Sequence, residues 1–487
     1  MTAPVSIRRD LPGGDLDAGV VAGAVVVASV VGVAVGLLGA AMLAALVGAA
    51  LMIAIAVRPA IGGVLLLGVT PLVVGIDRGV VVPLLRPNEA LLALVSASLV
   101  LRGVWLFALG RRWRPEVTPI HVGILAMAVT SSVTPLLWMA GRGHSIELDD
   151  VLYASAVWKY LVLFLVVRAA IRTEREVGAA LAAALGSGVV VAVVAVTQSM
   201  GLFGVPALLS RWYVPSAVEG LAVGRGSSTL SSAIAVGDVM AILLAAVIAL
   251  GTRYPTRRLP LSVLGAVFVI GAVGSGQFSG VMALVIAAAV AAWVAGRLRR
   301  AVLIGIPVAV VVGALLWPVV GQRLEGFTGG SGVPQSWTAR LENLRDFFWP
   351  TLTSDFNWTL GVRPSARIPA PEPWREWVFI ESGHTWLLWN GGLPLLLAFF
   401  GFLYVAVRTL KRIAPSVGFT GVAATAALAA MAVLGILITF DPHLTMRGTA
   451  DLSFAVLALA LVRVHEPTAP PQPRRGSTVG LSREKET

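Results

Sequence analysis

Of 487 residues, 57% are hydrophobic and 13% are charged, and the mean hydropathy is strongly positive. A soluble globular domain carries about 25% charged residues, so this composition excludes one and describes a polytopic membrane protein. The net charge of +12 does not indicate nucleic acid, because most arginines stand in short clusters between apolar runs, where the positive-inside rule puts them.

The absence of cysteine excludes disulfides, thiolate metal sites and cysteine nucleophiles. Five histidines are scattered with no i, i+4 pair, and no Walker loop, haem attachment site or zinc helix is present.

Residues 1–17 read as a retained cytoplasmic tail, since no short apolar segment with a small-residue cleavage site follows them. The apolar stretch 18–57 is too long for one span of about 20 residues, and Gly36 and Gly39 offer a reversal, so a hairpin of two helices is expected. Arg58-Pro59 marks an inner return. A third span runs to Ile76, "DRGVVVPLLRPNEA" is an outer loop, and a fourth span ends near Arg102 at the inner cluster Arg102, Arg111, Arg112, Arg114.

The alternation continues with spans at 118–139 and 151–171, separated by the acidic outer loop "GRGHSIELDD" and followed by the inner "RAAIRTERE". Spans at 177–199 and 226–251 flank an outer polar loop at 200–225. Two more at 259–274 and 279–296 bracket the outer "GSGQFSG", and 301–319 crosses outward.

The loop 320–383 therefore lies outside. Its length marks it as functional or disordered, and Phe347, Phe348, Trp349, Phe356, Trp358, Trp374 and Trp377 favour a folded cap at the membrane interface. Spans at 384–408, 415–439 and 448–464 follow, separated by the inner "RTLKR" and the outer "DPHLTMRG". The Pro- and charge-rich segment 465–487 reads as a disordered cytoplasmic tail. The expected architecture is all-α and polytopic, with about 12 to 14 helices in two blocks, 18–319 and 384–464, around the extracytoplasmic lid 320–383.

Three constellations carry chemistry. In "GRGSSTLSSAIAVGD", Arg225 stands at the outer mouth of a helix that opens on small hydroxyl residues. That is either a phosphate site built on a helix N-terminus or an interfacial arginine with N-capping serines. In "SWTARLENLRDFFWP", Arg340, Leu341, Leu344, Phe347 and Phe348 fall at helical spacing, giving an amphipathic surface helix on which Arg340 and Arg345 occupy different faces. In "ESGHTWLLWNGGLPLL", His384 is either a general base with Glu381 orienting it or a structural helix cap. Within the spans, Lys159 and Asp238 are the clear charges, and Lys159 either reaches a lipid-linked phosphate or pairs across helices.

The order "RGSST", "ARLENLRDFFWP" with "LGVRP", then "GHTWLLWNGGLPLLLAFF" resembles the O-antigen ligase and polymerase family of lipid-linked glycan ligases, over roughly residues 220–405. The chain departs from the family pattern at "GSGQFSG", where a Ser-Arg pair is common, and at Thr385 after the histidine. The resemblance implies a multi-span, GT-C-like, metal-independent glycosyltransferase of the plasma (inner) membrane, without cofactor, with both termini cytoplasmic and its active face extracytoplasmic. Its partners would be a polyprenyl diphosphate-linked glycan donor, a glycan or lipid acceptor and membrane lipids. Carried over by position, Arg225 and Arg340 would hold the diphosphate and His384 would meet the acceptor hydroxyl beside Glu381, with Arg86, Lys159 and Arg345 as additional candidates. The alternative is a transporter or flippase of a lipid-linked or small substrate, which would place polar residues at the membrane midplane among broken helices.

Overall fold

The computed structural model describes residues 39–111, 116–213, 225–317, 321, 335–370 and 376–462. The tails 1–17 and 465–487, the first arm of the 18–57 hairpin and residues 322–334 of the lid lie outside the described residues. The chain divides into Met1–Ala54 and Ile55–Thr487. The first unit contributes part of helix α1, Ala40–Val57, and all that follows concerns the second.

Among the described residues, nine helices are long and apolar enough to cross a membrane, and four shorter apolar helices accompany them. The chain is an all-α polytopic membrane protein. In order, the first block contains α2 (Ala60–Val73), α3 (Pro87–Ala108), α4 (Pro119–Thr130), α5 (Val133–Gly141), α6 (Leu148–Ala154), α7 (Ala156–Ala170), α8 (Glu174–Ser199), α9 (Val205–Trp212), α10 (Ala233–Arg253), α11 (Arg258–Gly274), α12 (Phe278–Val294) and α13 (Leu298–Leu315). The lid contributes α14 (Gln335–Asn343), α15 (Trp349–Thr353), α16 (Asn357–Leu360) and a ribbon of β1 (Arg367–Pro369) and β2 (Trp377–Phe379). The last block is α17 (Gly383–Ile413), α18 (Phe419–Leu437) and α19 (Thr449–Ala460).

Helices α10 and α18 are buried almost throughout, as helices ringed by others must be, and α10 carries Asp238 within its buried surface. Helix α10 packs on α11, α12 and α18, and α18 packs on α19. Against α12 the approach is backbone to backbone, since a Cβ on Gly237 would lie 2.4 Å from the Cα of Gly280. Lipid is as apolar as leucine, so helices in a membrane associate through close packing that small residues permit.

Loop contacts form two sets, one at each end of the bundle. At one end Arg253 donates to the carbonyls of Ala414 and Ser416, Glu174 accepts from the backbone of Phe419 and Thr420, and Arg168 meets His121. At the other, the connectors 74–86, 142–147 and 438–448 meet the lid and one another. This partition agrees with the alternating spans read from the sequence.

Two expected spans are interrupted. The 118–139 segment breaks at Ser131-Ser132 into α4 and α5, and α17 leaves helical geometry at Gly392 (φ 63°, ψ −158°). The rings of His384 and Phe400 lie 6.0 Å apart, whereas sixteen residues of straight helix would separate them by about 24 Å. Residues 383–391 therefore double back along 393–413. Backbone crowding explains the glycines, because a Cβ on Gly391 would lie 2.3 Å from the Thr130 carbonyl oxygen and one on Gly392 2.3 Å from that of Thr359.

The lid helix α14 passes into a π-helical turn at Leu344–Phe348 and then into α15. Leu344, Phe348 and Leu352 face inward, and Phe348 meets Trp389 edge to face at 5.2 Å. The first arm of α17 is stitched to the lid by Trp389 Nε1 donating to the Ser365 carbonyl (2.9 Å) and by Val362 N donating to the Trp389 carbonyl (2.7 Å).

The acidic loop after α5 closes the other edge of the lid. Arg363 forks onto Asp150 (2.9 and 2.7 Å), Arg367 forks onto Asp149 (3.1 and 2.9 Å), and Arg142 bonds Asn357. Planar two-point pairs of this kind fix orientation as well as distance. Asp150 is fully buried while Arg363 keeps about a quarter of its side chain exposed. Asp150→Asn removes the buried charge and one arm of the fork while Glu147, at 3.1 Å, still faces Arg363, so it is expected to cost about 2 kcal/mol. The expected readouts are a lower unfolding temperature in detergent and faster amide exchange across 355–367.

Candidate functional site at the lid end

Arg340, on the inner face of α14, reaches into the bundle. Its Nη1 donates to Asp441 Oδ2 at 2.9 Å, and its Nε lies 3.6 Å from Glu381 Oε1. Asp441 is 4% exposed and Glu381 is 35% exposed, so the first contact is the less screened and dominates. Burial pushes the Asp441 carboxyl above its usual range, more than Arg340 and His443 pull it down. Arg340 thus ties the lid to the 438–448 connector. The same connector holds the start of α17, where Gly383 N donates to the Ile438 carbonyl at 2.8 Å.

Directly beneath, His443 Nδ1 and Asp238 Oδ2 are 2.7 Å apart with both side chains fully buried, and Thr449 Oγ1 donates to the same oxygen at 3.1 Å. His443 Nε2 and Asp238 Oδ1 have no hydrogen-bond partner. Burial disfavours the imidazolium of His443, yet Asp238, the hydrogen bond to it and Asp441 outweigh burial and raise the pKa above the ordinary 6.5.

Of the residues singled out from the sequence, Arg340 and Glu381 come together. Asn343 Nδ2 is 3.5 Å from the other oxygen of Glu381, so this carboxylate faces the lid helix. His384, one turn away and half-buried, lays its ring against Phe400, and Trp349 Nε1 donates to neighbouring Thr385 at 3.3 Å. Arg345 is exposed on the opposite face of the lid. Lys159 pairs across helices with Asp451, Nζ to Oδ1 at 3.0 Å, under the ring of Tyr160. Of the two roles open to Lys159 in the sequence, the structure has the cross-helix pair.

The segment that follows Arg225 differs from the expected open helix mouth. Helix α10 starts at Ala233 rather than 226, with Ser232 accepting from Ala235 N as its cap. Residues Ser227 to Ser231 are buried, and their hydroxyls are spent on neighbours. Ser228 Oγ donates to the Val191 carbonyl, Thr229 Oγ1 to Pro71 and Ser231 Oγ to Gly75, while Gln198 Nε2 donates to Ser227 Oγ. These hydroxyls meet carbonyls at the C-terminal end of α2 and inside α8. Arg225 is half-buried at the head of this plug, and Gly226 is wedged between the carbonyls of Ala195 and Gly274.

No family model, curated protein or solved structure matches the chain. The functional reading accordingly rests on the site itself.

Arg86 belongs to a second polar group at the same end. It precedes α3, with Nη1 3.9 Å from Glu89 Oε1, while Arg78 forks onto both oxygens of Glu89 at 3.0 and 3.3 Å. Arg447, from the 438–448 connector, approaches Asp77 at 2.9 Å. Asp441, His443 and Arg447 all come from "DPHLTMRG", which sequence reading treated as a plain outer loop. Its signal was an acid, an imidazole and a guanidinium within seven residues between two apolar runs.

The His443 shift fixes the sign of a pH effect. A histidine whose folded pKa is raised contributes stability that is complete below the unfolded value, here 6.5, and lost as pH climbs through the folded value. Wild-type protein in detergent is therefore expected to lose thermal stability above pH 6.5, and His443→Gln should abolish that component. An unchanged pH profile in the variant would remove His443 from this role.

Proposed function

We propose that the protein transfers a glycan from a polyprenyl diphosphate carrier to an acceptor hydroxyl at the lid end of the bundle, as O-antigen ligases and polymerases do. The observation that carries this reading is Arg340 crossing from the lid to buried Asp441, beside Glu381 and one turn from His384. A half-enclosed arginine and a half-buried imidazole thus share one face of a membrane bundle, under an aromatic lid.

The chemistry needs two things. The acceptor oxygen attacks the anomeric carbon as the bond from that carbon to the diphosphate oxygen breaks, and the diphosphate departs with the electron pair. Guanidiniums preorganised near that oxygen stabilise the developing charge, and a neutral imidazole takes the acceptor proton. Arg340 can keep Asp441 and exchange the longer, more exposed Glu381 contact for a phosphate oxygen. His384 is the proposed base, and Arg225 is the second phosphate contact implied by the resemblance.

The proposed transfer includes a sidedness. The end opposite the lid carries Arg102, Arg168, Arg172, Arg253, Arg297 and Arg412 among its helix termini and connectors, which favours placing it in the cytoplasm and the lid outside. A lid outside the plasma membrane meets a lipid-linked donor after the donor has been flipped.

A second reading, a flippase of lipid-linked substrate, draws on the broken helix at Gly392 and the Lys159–Asp451 pair inside the bundle. One reconstituted system separates the two. Proteoliposomes given a polyprenyl diphosphate glycan and an acceptor should form product, and His384→Ala should lower turnover by about 10²- to 10³-fold. Folded His384→Ala, Arg340→Ala and Arg225→Ala proteins that all retain full turnover would refute the transfer reading. Movement of labelled donor between leaflets without product would favour the flippase.

A further inference from the structure

The loops preceding α3 and α19 bring three guanidiniums, Arg78, Arg86 and Arg447, to the lid end with two carboxylates among them, Asp77 and Glu89. Glu89 is committed. Its Oε1 accepts from Arg78 Nη2, and its Oε2 from Arg78 Nε and from the backbone N of Arg86. The guanidinium of Arg86 is left with Glu89 at 3.9 Å, beyond hydrogen-bond distance. Its Nε is buried and has no hydrogen-bond partner, and Arg447 Nη1, although 2.9 Å from Asp77, makes no aligned hydrogen bond.

A buried guanidinium N–H without an acceptor is costly, and guanidiniums cannot accept from one another. The group also carries an excess of one positive charge, three cations against two anions. Burial first, and then the nearby charges of Arg447 and Arg78, depress the pKa of Arg86. Lys159 below does not change this balance, because Asp451 neutralises it. What the group lacks is an anion with several acceptor oxygens.

We infer that Arg78, Arg86 and Arg447 form a binding site for a diphosphate group. Planar guanidinium forks match phosphate oxygens two at a time, and a diphosphate offers enough oxygens for the unpartnered nitrogens of both Arg86 and Arg447. Each of the three side chains keeps between 21% and 28% of its surface exposed, so the anion meets the exposed edges of the guanidiniums, and a turn of the Arg86 and Arg447 side chains brings their buried nitrogens to it. The site deepens the proposed transfer by giving its leaving group a place, and it rests on that reading only for the lipid-linked source of the diphosphate. A free diphosphate would satisfy the same nitrogens.

The test uses the full chain in lipid nanodiscs, titrated with inorganic pyrophosphate and, separately, with farnesyl diphosphate. Both should bind, with Arg86→Gln and Arg447→Gln each weakening binding by about tenfold. Arg86→Lys, which keeps the charge but not the fork, should recover part of the loss. Glu89→Gln removes the anion competing for Arg78 and should tighten binding, a direction that a purely structural role does not produce. Arg299→Gln, at the opposite end, is the control and should bind as wild type does.

Tighter binding of farnesyl diphosphate than of pyrophosphate would support the site and identify a lipid-linked source. Equal binding would support it with a free source. The site is refuted if neither probe binds, or if Arg86→Gln and Arg447→Gln both stay within about twofold of wild type. Glycan transfer is measured on the same proteins. Diphosphate binding and transfer both unchanged in Arg86→Gln and Arg447→Gln would overturn this site alone, whereas wild type that binds diphosphate at Arg86 but forms no product would overturn the transfer reading alone.

Discussion

Backbone crowding at Gly391 and Gly392 organises the lid end. With no Cβ in the way, the Thr130 carbonyl from α4 and the Thr359 carbonyl from α16 both close to contact distance, and the chain can reverse in two residues. A helix that ran straight through this point would carry its N-terminal arm away from the bundle. The reversal instead lays that arm on the second one, so that Trp389 meets the lid and Gly383 meets the 438–448 connector. The neighbouring break at Ser131-Ser132 uses the same economy. Both serine hydroxyls donate to the Ala128 carbonyl, and Trp158 Nε1 donates to Ser132.

Once the lid is seated, electrostatics decides which arginines are anchors and which have capacity left. Arg363 and Arg367 each have a carboxylate of their own with two good bonds, and Arg340 has two carboxylates within 3.6 Å. The two-point pairs of Arg363 and Arg367 leave little for a ligand, whereas Arg340 holds Asp441 closely and can still exchange its 3.6 Å contact with Glu381. Arg86 and Arg447 are not so matched. The contrast is physical rather than positional, since all five sit at one end of one bundle.

Much of this was legible in the sequence, for identifiable reasons. Hydropathy exposes spans because a bilayer forbids unpaired backbone, and the alternation of spans sorts the connectors into two ends. Of the face read at helical spacing from Arg340, Leu341, Leu344, Phe347 and Phe348, Leu344 and Phe348 are buried and Leu341 is 55% exposed, and the π-helical turn at Leu344–Phe348 shifts the register that the spacing assumed. Hydropathy could not reveal the reversal at Gly392, because both arms are apolar and the run looks continuous. The pairing of Asp238 with His443, 205 residues apart, has no local signature. At "RGSSTLSS" the N-capping serine that the sequence offered is Ser232, while Ser228, Thr229 and Ser231 turn to neighbouring carbonyls instead. Small hydroxyl residues before a helix cap the helix in some contexts and satisfy neighbouring carbonyls in others, and only the packing of α2 and α8 around this segment decides which.

The Lys159–Asp451 pair bears on how the bundle is built. Lys159 belongs to a helix made in the first third of the chain, and its counter-charge lies in the last described helix, 292 residues later. An ammonium facing a hydrocarbon interior is costly while alone. Until the ribosome has delivered residue 451, the early helix therefore holds a debt that none of the intervening spans settles in the finished bundle. The charge of an early helix is thus matched only by α19, short and buried on all sides, which acts as a keystone between the two ends of the sequence.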